Sequence, residues 1–236
     1  MKKNMKIFIL VLVLSQLCFV QVFAMDSSKP AVNHEDMMKV IQENKEYLDE
    51  DFIVTVTTII NLQEANPNLN AYEVQDILSN ELTTRGLISE AGDVWKSLTD
   101  AEKVLVVLFP IQALLVNVAK NKTDELTNTY YLGWIDGDVG NSFRHAMWNA
   151  LMTKSIGKPL AKAFADAHEN QGLTDAEYKA NVWHGFNGLE HRNMDLHNNQ
   201  KGRDCVKWYE GLISDSTIVK RVQEKIKNGE MMILVK

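Results

Sequence analysis

Three short segments in the second half of the chain combine imidazole, carboxylate, amide and guanidinium groups. They are residues 143–149 (FRHAMWN), 166–169 (DAHE) and 194–199 (MDLHNN), with Gly202 and Arg203 close behind. Five of the six histidines fall in this part of the chain. Imidazole and carboxylate ligands suit Zn and similar divalent ions, and the same groups carry out proton transfer. The composition of the segments therefore indicates hydrolytic chemistry, either with a divalent metal or by metal-free acid–base catalysis.

Helical spacing decides which of these groups can act together. His145 and Asn149 lie at i and i+4 on the first segment, and Asp195 and Asn199 have the same spacing on the third. We therefore expect a site between facing helices, as in the cores of helical bundles. His191 lies four residues before Asp195, which makes it a secondary candidate ligand if one helix spans both, although a surface or loop position is the simpler expectation.

The predicted metal ligands are His145, His168 and Asp195, with Asp166 and His197 as alternatives, and the predicted cofactor is a divalent metal such as Zn. Six further residues complete the predicted site by orienting these groups, acting as a base or binding an anion: Arg144, Asn149, Glu169, Asn198, Asn199 and Arg203. The opposing interpretation is a buried structural network, because polar side chains on inner helix faces are often satisfied by one another.

The three motifs in this order, RHAxWN, DAHE and MDLHNNxxGR, resemble an uncharacterised domain of exported bacterial proteins. They are also similar to the C-terminal parts of some wall-associated and polymorphic-toxin proteins. The resemblance covers roughly residues 98–206, including the segment 98–103 (LTDAEK) and Pro110. It implies a domain identity and assigns no reaction. Asn141 stands where we expect an acidic residue, and the stretch that holds His184 and His191 has no counterpart.

Composition excludes several classes of protein. The 236 residues carry a formal net charge of −6 and 45% hydrophobic residues, which is typical of a globular chain. Without a basic excess we expect no generic nucleic-acid binding, and the partners are otherwise unknown. Two cysteines exclude a disulfide scaffold, and Cys205, alone after residue 18, is expected to be a buried small apolar residue.

Residues 1–24 have the pattern of a secretory signal peptide. Three lysines precede an apolar run over residues 7–14, and Val22-Phe23-Ala24 offers a cleavage site before Met25. The run is too short for a membrane anchor, so we expect export to the periplasm or the medium, with no transmembrane segment afterwards. The later apolar stretch 104–119 contains Pro110 and polar residues, which favours a kinked core helix over a membrane span.

The remaining chain is predicted to be all-α, a single bundle-like domain of about seven to nine helices with a short strand at residues 231–235. We expect a flexible leader over residues 25–34, an N-terminal helical region over 35–90 and a helical domain with the motifs over 91–236. Capping boxes start helices at Thr99 and Thr174, and Ser142 is the expected cap of the helix with the first motif. The β-branched run 51–62 allows a strand, but its helical neighbours favour a helix.

The sequence is compatible with three functions. The first is an exported α-helical hydrolase that acts on a phosphodiester or an ester, with or without a divalent metal. The second is a non-enzymatic exported binding domain, in which the motifs form a buried structural His/Asp/Asn network. The third is a toxin-like effector, which the resemblance to toxin C-termini supports.

Overall fold

The computed structural model describes residues 34–84 and 89–236. The predicted signal peptide and most of the predicted leader lie outside the described residues. Glu35–Lys236 form one compact unit. The predicted all-α class is confirmed, because the described residues are mostly helical and contain one small sheet.

The described part of the chain contains eleven α-helices, more than the seven to nine expected. They are α1 (His34–Asn44), α2 (Glu50–Ala65), α3 (Ala71–Thr84), α4 (Ser89–Ser97), α5 (Asp100–Leu108), α6 (Pro110–Tyr130), α7 (Val139–Ile156), α8 (Lys158–His168), α9 (Asp175–Ala180), α10 (Gly188–Arg203) and α11 (Asp215–Lys227). A 3-10 turn, Lys45–Tyr47, follows α1, and the β-branched run forms the middle of α2. The higher count arises partly because the apolar stretch is divided and partly because short helices separate the longer ones.

Proline divides the apolar stretch into two helices, which corrects the expected single kinked helix. Helix α5 ends at Leu108 and α6 begins at Pro110. Proline has no backbone N–H to give to a continuing helix, but its fixed φ suits the first position of a new one. None of the helices in the described ranges is long and apolar enough to cross a membrane.

Side-chain caps start the helices around the motifs. The capping boxes predicted at Thr99 and Thr174 are both present, each with its glutamate three residues later. Helix α7 is capped by Asp138 instead of the predicted Ser142, since the Asp138 carboxylate accepts from the Asn141 backbone N–H. Ser142 lies in the first turn, and its hydroxyl oxygen lies 2.9 Å from the Asp138 carbonyl oxygen and 2.8 Å from that of Met232, so the two acceptors share its one hydrogen.

The short sheet lies before α10 and not at the end of the chain. Strand β1 (Val182–Trp183) pairs antiparallel with β2 (Phe186–Asn187), and a turn with positive φ at His184 and Gly185 joins them. Residues 231–235 form no strand and instead run along the loop before α7. There the backbone N–H groups of Leu234 and Val235 donate to the Gly137 carbonyl.

Helix α7 lies at the centre of the motif region and packs against α6, α8, α10 and α11. Its contact with α10 depends on Gly202, where a Cβ would lie 2.0 Å from the Ala146 carbonyl oxygen. Only a residue without a side chain allows this approach of the two backbones. The approach places His145 and Asn149 of α7 beside the inner face of α10.

Candidate metal centre

Three side chains from three elements meet beside α7. They are His145 of α7, Glu169 directly after α8 and Asp195 of α10, and one ligand atom of each lies within 4.8 Å of the others. His145 Nε2 lies 3.2 Å from Asp195 Oδ1, and His145 Nδ1 lies 3.5 Å from Glu169 Oε1. His145 and Glu169 are buried, and Asp195 is half-buried. Imidazole and two carboxylates are a donor set that could hold a divalent metal ion.

The Asp195 oxygen next to the ring has no hydrogen-bond partner among the described residues. Asp195 Oδ1 is buried, and although it lies 3.2 Å from His145 Nε2 it is not aligned with it as a hydrogen bond. A nitrogen and an oxygen ligand of one tetrahedral Zn ion, each about 2.0–2.2 Å from the metal, lie about 3.3–3.5 Å apart. The spacing of these two atoms is close to that of two ligands that share one cation.

Burial disfavours charge on all three groups. It lowers the pKa of His145 to about 3, and the nearby cations Arg144 and His168 act in the same direction. It raises the pKa of Asp195 to about 8, with the negative charges of Glu169 and Asp136 adding to the effect, and it also raises the pKa of Glu169. A divalent cation reverses this preference for the carboxylates, because it favours their ionised form.

Two buried asparagines connect this cluster to α7 and α10. Asn199 Oδ1 lies 3.3 Å from His145 Nδ1, and Asn199 Nδ2 donates to Glu169 Oε1 at 3.2 Å. Asn149 Nδ2 donates to Asn199 Oδ1 at 2.6 Å, and Arg203 donates to Asn149 Oδ1 at 2.6 Å. Asn149 and Asn199 thus lie where orienting residues were expected.

His168 lies outside the ligand cluster, which corrects its predicted role as a ligand. Its Nδ1 lies 2.8 Å from Glu102 Oε1 of α5, and its ring meets Trp148 edge-on at 5.2 Å between centroids. Glu169 keeps the helical conformation and its backbone N–H donates to the Ala165 carbonyl, so the side chains of His168 and Glu169 diverge by about 100°. The His168 ring lies toward α5, while the Glu169 carboxylate lies with His145 and Asp195. Glu169, predicted as a base, is thereby grouped with the ligands.

The two alternative ligands also lie elsewhere. Asp166 forms an ion pair with Lys162 one turn earlier on α8 and is partly exposed. His197 Nε2 lies 2.9 Å from the Glu230 carbonyl oxygen, on a different side of α10 from Asp195. His197 is two residues away from Asp195, and a separation of two residues on a helix turns a side chain through about 200°. Asp166 is three residues before Glu169, but its carboxylate pairs with Lys162 at the surface.

Asn198 and Arg203 have roles other than those predicted. Asn198 exchanges two hydrogen bonds with the backbone of Met232 and so holds the C-terminal segment. The Arg203 guanidinium is buried and bonded to Asn149 and Gln200, so it presents no anion-binding face. The predicted anion contact falls to Arg144 alone, whose Nε also donates to Asp124 at 2.9 Å.

A cavity of about 410 Å³ reaches the cluster. Its wall includes the three ligand candidates, Arg144 and His168, together with residues that had no assigned role: Glu102, Asp136, Asn141 and Trp183. His191 also lines it, since one helix spans His191 and Asp195. The His191 ring is buried and stacks on Trp183 at 4.8 Å between centroids. The expectation that His191 lies on the surface or in a loop is therefore wrong.

Glu102 is the most informative of the residues without a predicted role. Its capping-box position was visible in the sequence, but only as a signal for a helix start. In the structure Oε2 accepts from the Thr99 backbone N–H and Oε1 holds His168. In the sequence, one observation could have placed Glu102 in the site: it lies in the segment 98–103, which is part of the region that resembles the exported bacterial domain.

No curated protein and no solved structure matches the chain significantly. One protein family does match, over residues 103–230, and this range contains all three motifs and the three ligand candidates. The chain belongs to the family described as "Domain of unknown function (DUF6973)".

Proposed function

We propose that the protein is a divalent-metal-dependent hydrolase that acts on a phosphodiester or an ester. The signal-peptide pattern of residues 1–24 supports the further proposal that it acts outside the cytoplasm. His145, Glu169 and Asp195 are the proposed ligands. The observation that carries the proposal is the buried Asp195 Oδ1, which accepts no hydrogen bond from the described part of the chain and lies 3.2 Å from His145 Nε2 at a cavity.

The bound cation would polarise the phosphoryl or acyl oxygen and activate a water molecule. Three protein ligands leave coordination positions for water and substrate, as in catalytic zinc sites. In the hydrolysis the water oxygen forms a bond to phosphorus or to the acyl carbon while the bond to the leaving oxygen breaks. The leaving oxygen then takes up a proton.

Two residues of the cavity wall are placed to assist this reaction. His168 is held through Nδ1 by Glu102, so its second ring nitrogen is available to exchange a proton with the reacting group. Arg144 supplies a cation for the anionic part of a substrate. The cavity supports this proposal over a purely structural network, which is expected to leave every buried polar atom paired and no cavity at the motifs.

The test compares His145→Ala and Asp195→Asn with the unchanged protein. Binding of Mn²⁺ and Zn²⁺ is measured by calorimetry, and hydrolysis is measured with bis(p-nitrophenyl) phosphate and p-nitrophenyl acetate. We expect both variants to remain folded and to lose cation binding and turnover together. His168→Gln should bind the cation like the unchanged protein and lose about 10²–10⁴-fold in turnover, the usual contribution of an acid–base group.

Asp166→Asn is the matched control, since it makes the same chemical change on a partly exposed aspartate of a motif. It should leave both cation binding and turnover unchanged. If the unchanged protein binds neither cation, or if Asp195→Asn binds as tightly as the unchanged protein does, the proposed metal centre is wrong.

A further inference from the structure

The orientation of the Asn149 amide is dictated by two partners that each have only one hydrogen-bonding role. The Arg203 guanidinium can only donate, and its Nη1 lies 2.6 Å from Asn149 Oδ1. The His145 carbonyl can only accept, and it lies 3.1 Å from Asn149 Nδ2. A reversed amide would place a donor against a donor and an acceptor against an acceptor.

The orientation of Asn199 follows from that of Asn149. Asn149 Nδ2 lies 2.6 Å from one side-chain atom of Asn199, which must therefore be the oxygen, because a nitrogen there would bring two NH₂ groups together. Asn199 Nδ2 then faces Glu169 Oε1 at 3.2 Å, where it donates to a carboxylate. Both ends of Asn199 are satisfied in this orientation and in no other.

The same oxygen of Asn199 lies 3.3 Å from His145 Nδ1. An oxygen that already accepts one hydrogen bond can interact favourably with Nδ1 only if that nitrogen carries the ring hydrogen. Nε2 then has the lone pair, and Nε2 is the atom that lies 3.2 Å from Asp195 Oδ1.

We propose that Asn149 and Asn199 are positioning residues that hold the hydrogen of His145 on Nδ1 and so make Nε2 the ligand atom for the cation. The role in cation binding rests on the proposed function, whereas the position of the ring hydrogen does not. Partners that fix the second nitrogen of a ligating histidine typically change metal affinity by about 10- to 100-fold when they are removed.

The first measurement is made without metal. Long-range ¹H–¹⁵N correlation spectra of the ¹⁵N-histidine-labelled protein report which nitrogen of His145 carries the hydrogen, with His145→Gln used to assign the signal. We expect the Nδ1–H form. Finding the hydrogen on Nε2 overturns the proposal, whether or not any cation binds.

The second measurement uses two substitutions of Asn199. Asn199→Leu removes the acceptor, so the Nδ1–H form should no longer dominate and Mn²⁺ and Zn²⁺ should bind about 10- to 100-fold more weakly. Asn199→Asp keeps an oxygen toward His145 and Asn149, so the Nδ1–H form should be retained. A ring hydrogen that stays on Nδ1 in Asn199→Leu contradicts the proposal.

Asn198→Leu is the matched control, because Asn198 is the neighbouring residue of α10 and is equally inaccessible to solvent, at 0% exposure. Within the described ranges, the hydrogen bonds of its side chain go to the backbone of Met232 and not to a ligand candidate. We expect lower stability with the position of the ring hydrogen and the cation affinity unchanged. A shift as large as that of Asn199→Leu would show general disruption and would refute the positioning role. If the unchanged protein binds no cation, the proposed function fails, while the spectra of the metal-free protein still decide the proposal.

Discussion

A single carboxylate, Glu102, connects the start of α5 to the rim of the cavity. Burial opposes its ionisation, but the bonds to His168 and to Thr99 outweigh burial and lower the pKa of Glu102. Burial likewise opposes a charge on His168, yet the bond to Glu102 and its negative charge raise the pKa of His168. The two opposite shifts mean that the folded protein favours the ionised pair.

The pair predicts a pH-dependent contribution to stability. The pKa of Glu102 is lowered, so its contribution is present above the ordinary glutamate value of about 4.3 and is lost as pH falls through the lowered pKa. The pKa of His168 is raised, so its contribution is complete below about 6.5 and is lost as pH rises through the raised pKa. The free energy of unfolding of the unchanged protein, relative to Glu102→Gln, should be most favourable at about pH 5–6.

Urea unfolding from pH 4 to pH 9, followed by circular dichroism, measures this difference. Glutamine also completes a capping box, so Glu102→Gln removes the charge and leaves the cap. The His168 side chain is 44% exposed, and salt should therefore reduce the difference by screening. A difference that does not vary with pH would mean that the ion pair does not stabilise the fold.

Sequence spacing predicted part of this site at the residue level. His145 and Asp195 were predicted as ligands, and both belong to the cluster that the structure brings together. Helical periodicity separates His168 from Glu169, because Glu169 keeps the helical backbone conformation and successive side chains on a helix diverge by about 100°, but it does not say which of the two faces α7. The bond from His168 to Glu102 joins residues that are 66 positions apart, and spacing within one motif contains no information about it.

At the level of elements, the site depends on how closely α7 and α10 approach. Gly202→Ala places a Cβ 2.0 Å from the Ala146 carbonyl oxygen, which belongs to the backbone and cannot turn away. We expect a loss of at least about 3 kcal/mol in the free energy of unfolding, the upper range for overpacking. This loss would come despite the better helix propensity of alanine, which favours it by about 1 kcal/mol.

Gly211→Ala is the control for this substitution, because a Cβ at Gly211 meets nothing within 4 Å. It should change the free energy of unfolding by less than about 0.5 kcal/mol. Chemical denaturation of both variants makes the comparison. Equal stability of the two variants would show that the helices can separate at no cost, contrary to the close packing seen at Gly202.

Element boundaries were predictable where a local signal sets them. Both capping boxes start helices as predicted, because the side chain and the backbone group that it satisfies are three residues apart. The cap of α7 is Asp138 and not the predicted Ser142, whose hydroxyl bonds instead to a carbonyl of Met232, 90 residues further along the chain, a contact that local spacing does not reveal. The strands of the hairpin have only two residues each, so the sequence shows no alternation of apolar and polar residues from which they could be predicted.

At the level of the whole molecule, the C-terminal segment joins α10 to the loop before α7. Met232 exchanges two hydrogen bonds with Asn198 and accepts a third from Ser142, while Leu234 and Val235 donate to Gly137. The segment follows the range that matches the family, which ends at residue 230. Asn198 lies inside that range, so a residue of the third motif serves to hold a part of the chain that lies outside it.

Removing residues 232–236 tests what this connection contributes. The five hydrogen bonds are lost, and at about 0.5–1.5 kcal/mol each the free energy of unfolding should fall by several kcal/mol. Asp136 lines the cavity and precedes Gly137, so the loop at the cavity should also open more often. Hydrogen exchange of the backbone amides at residues 135–138 should become faster, with little change in α2 and α3.

Removal of Lys236 alone is the control, because all five hydrogen bonds are made by residues before it. This protein should keep the stability and the exchange rates of the unchanged chain. If the longer truncation also keeps both, the segment only covers the surface of α10. If it loses stability while the loop exchanges as before, the segment holds α10 and not the cavity wall. Faster exchange at residues 135–138 together with weaker Zn²⁺ binding would instead show that residues 232–236 help to shape the proposed metal centre, through Gly137 and its neighbour Asp136.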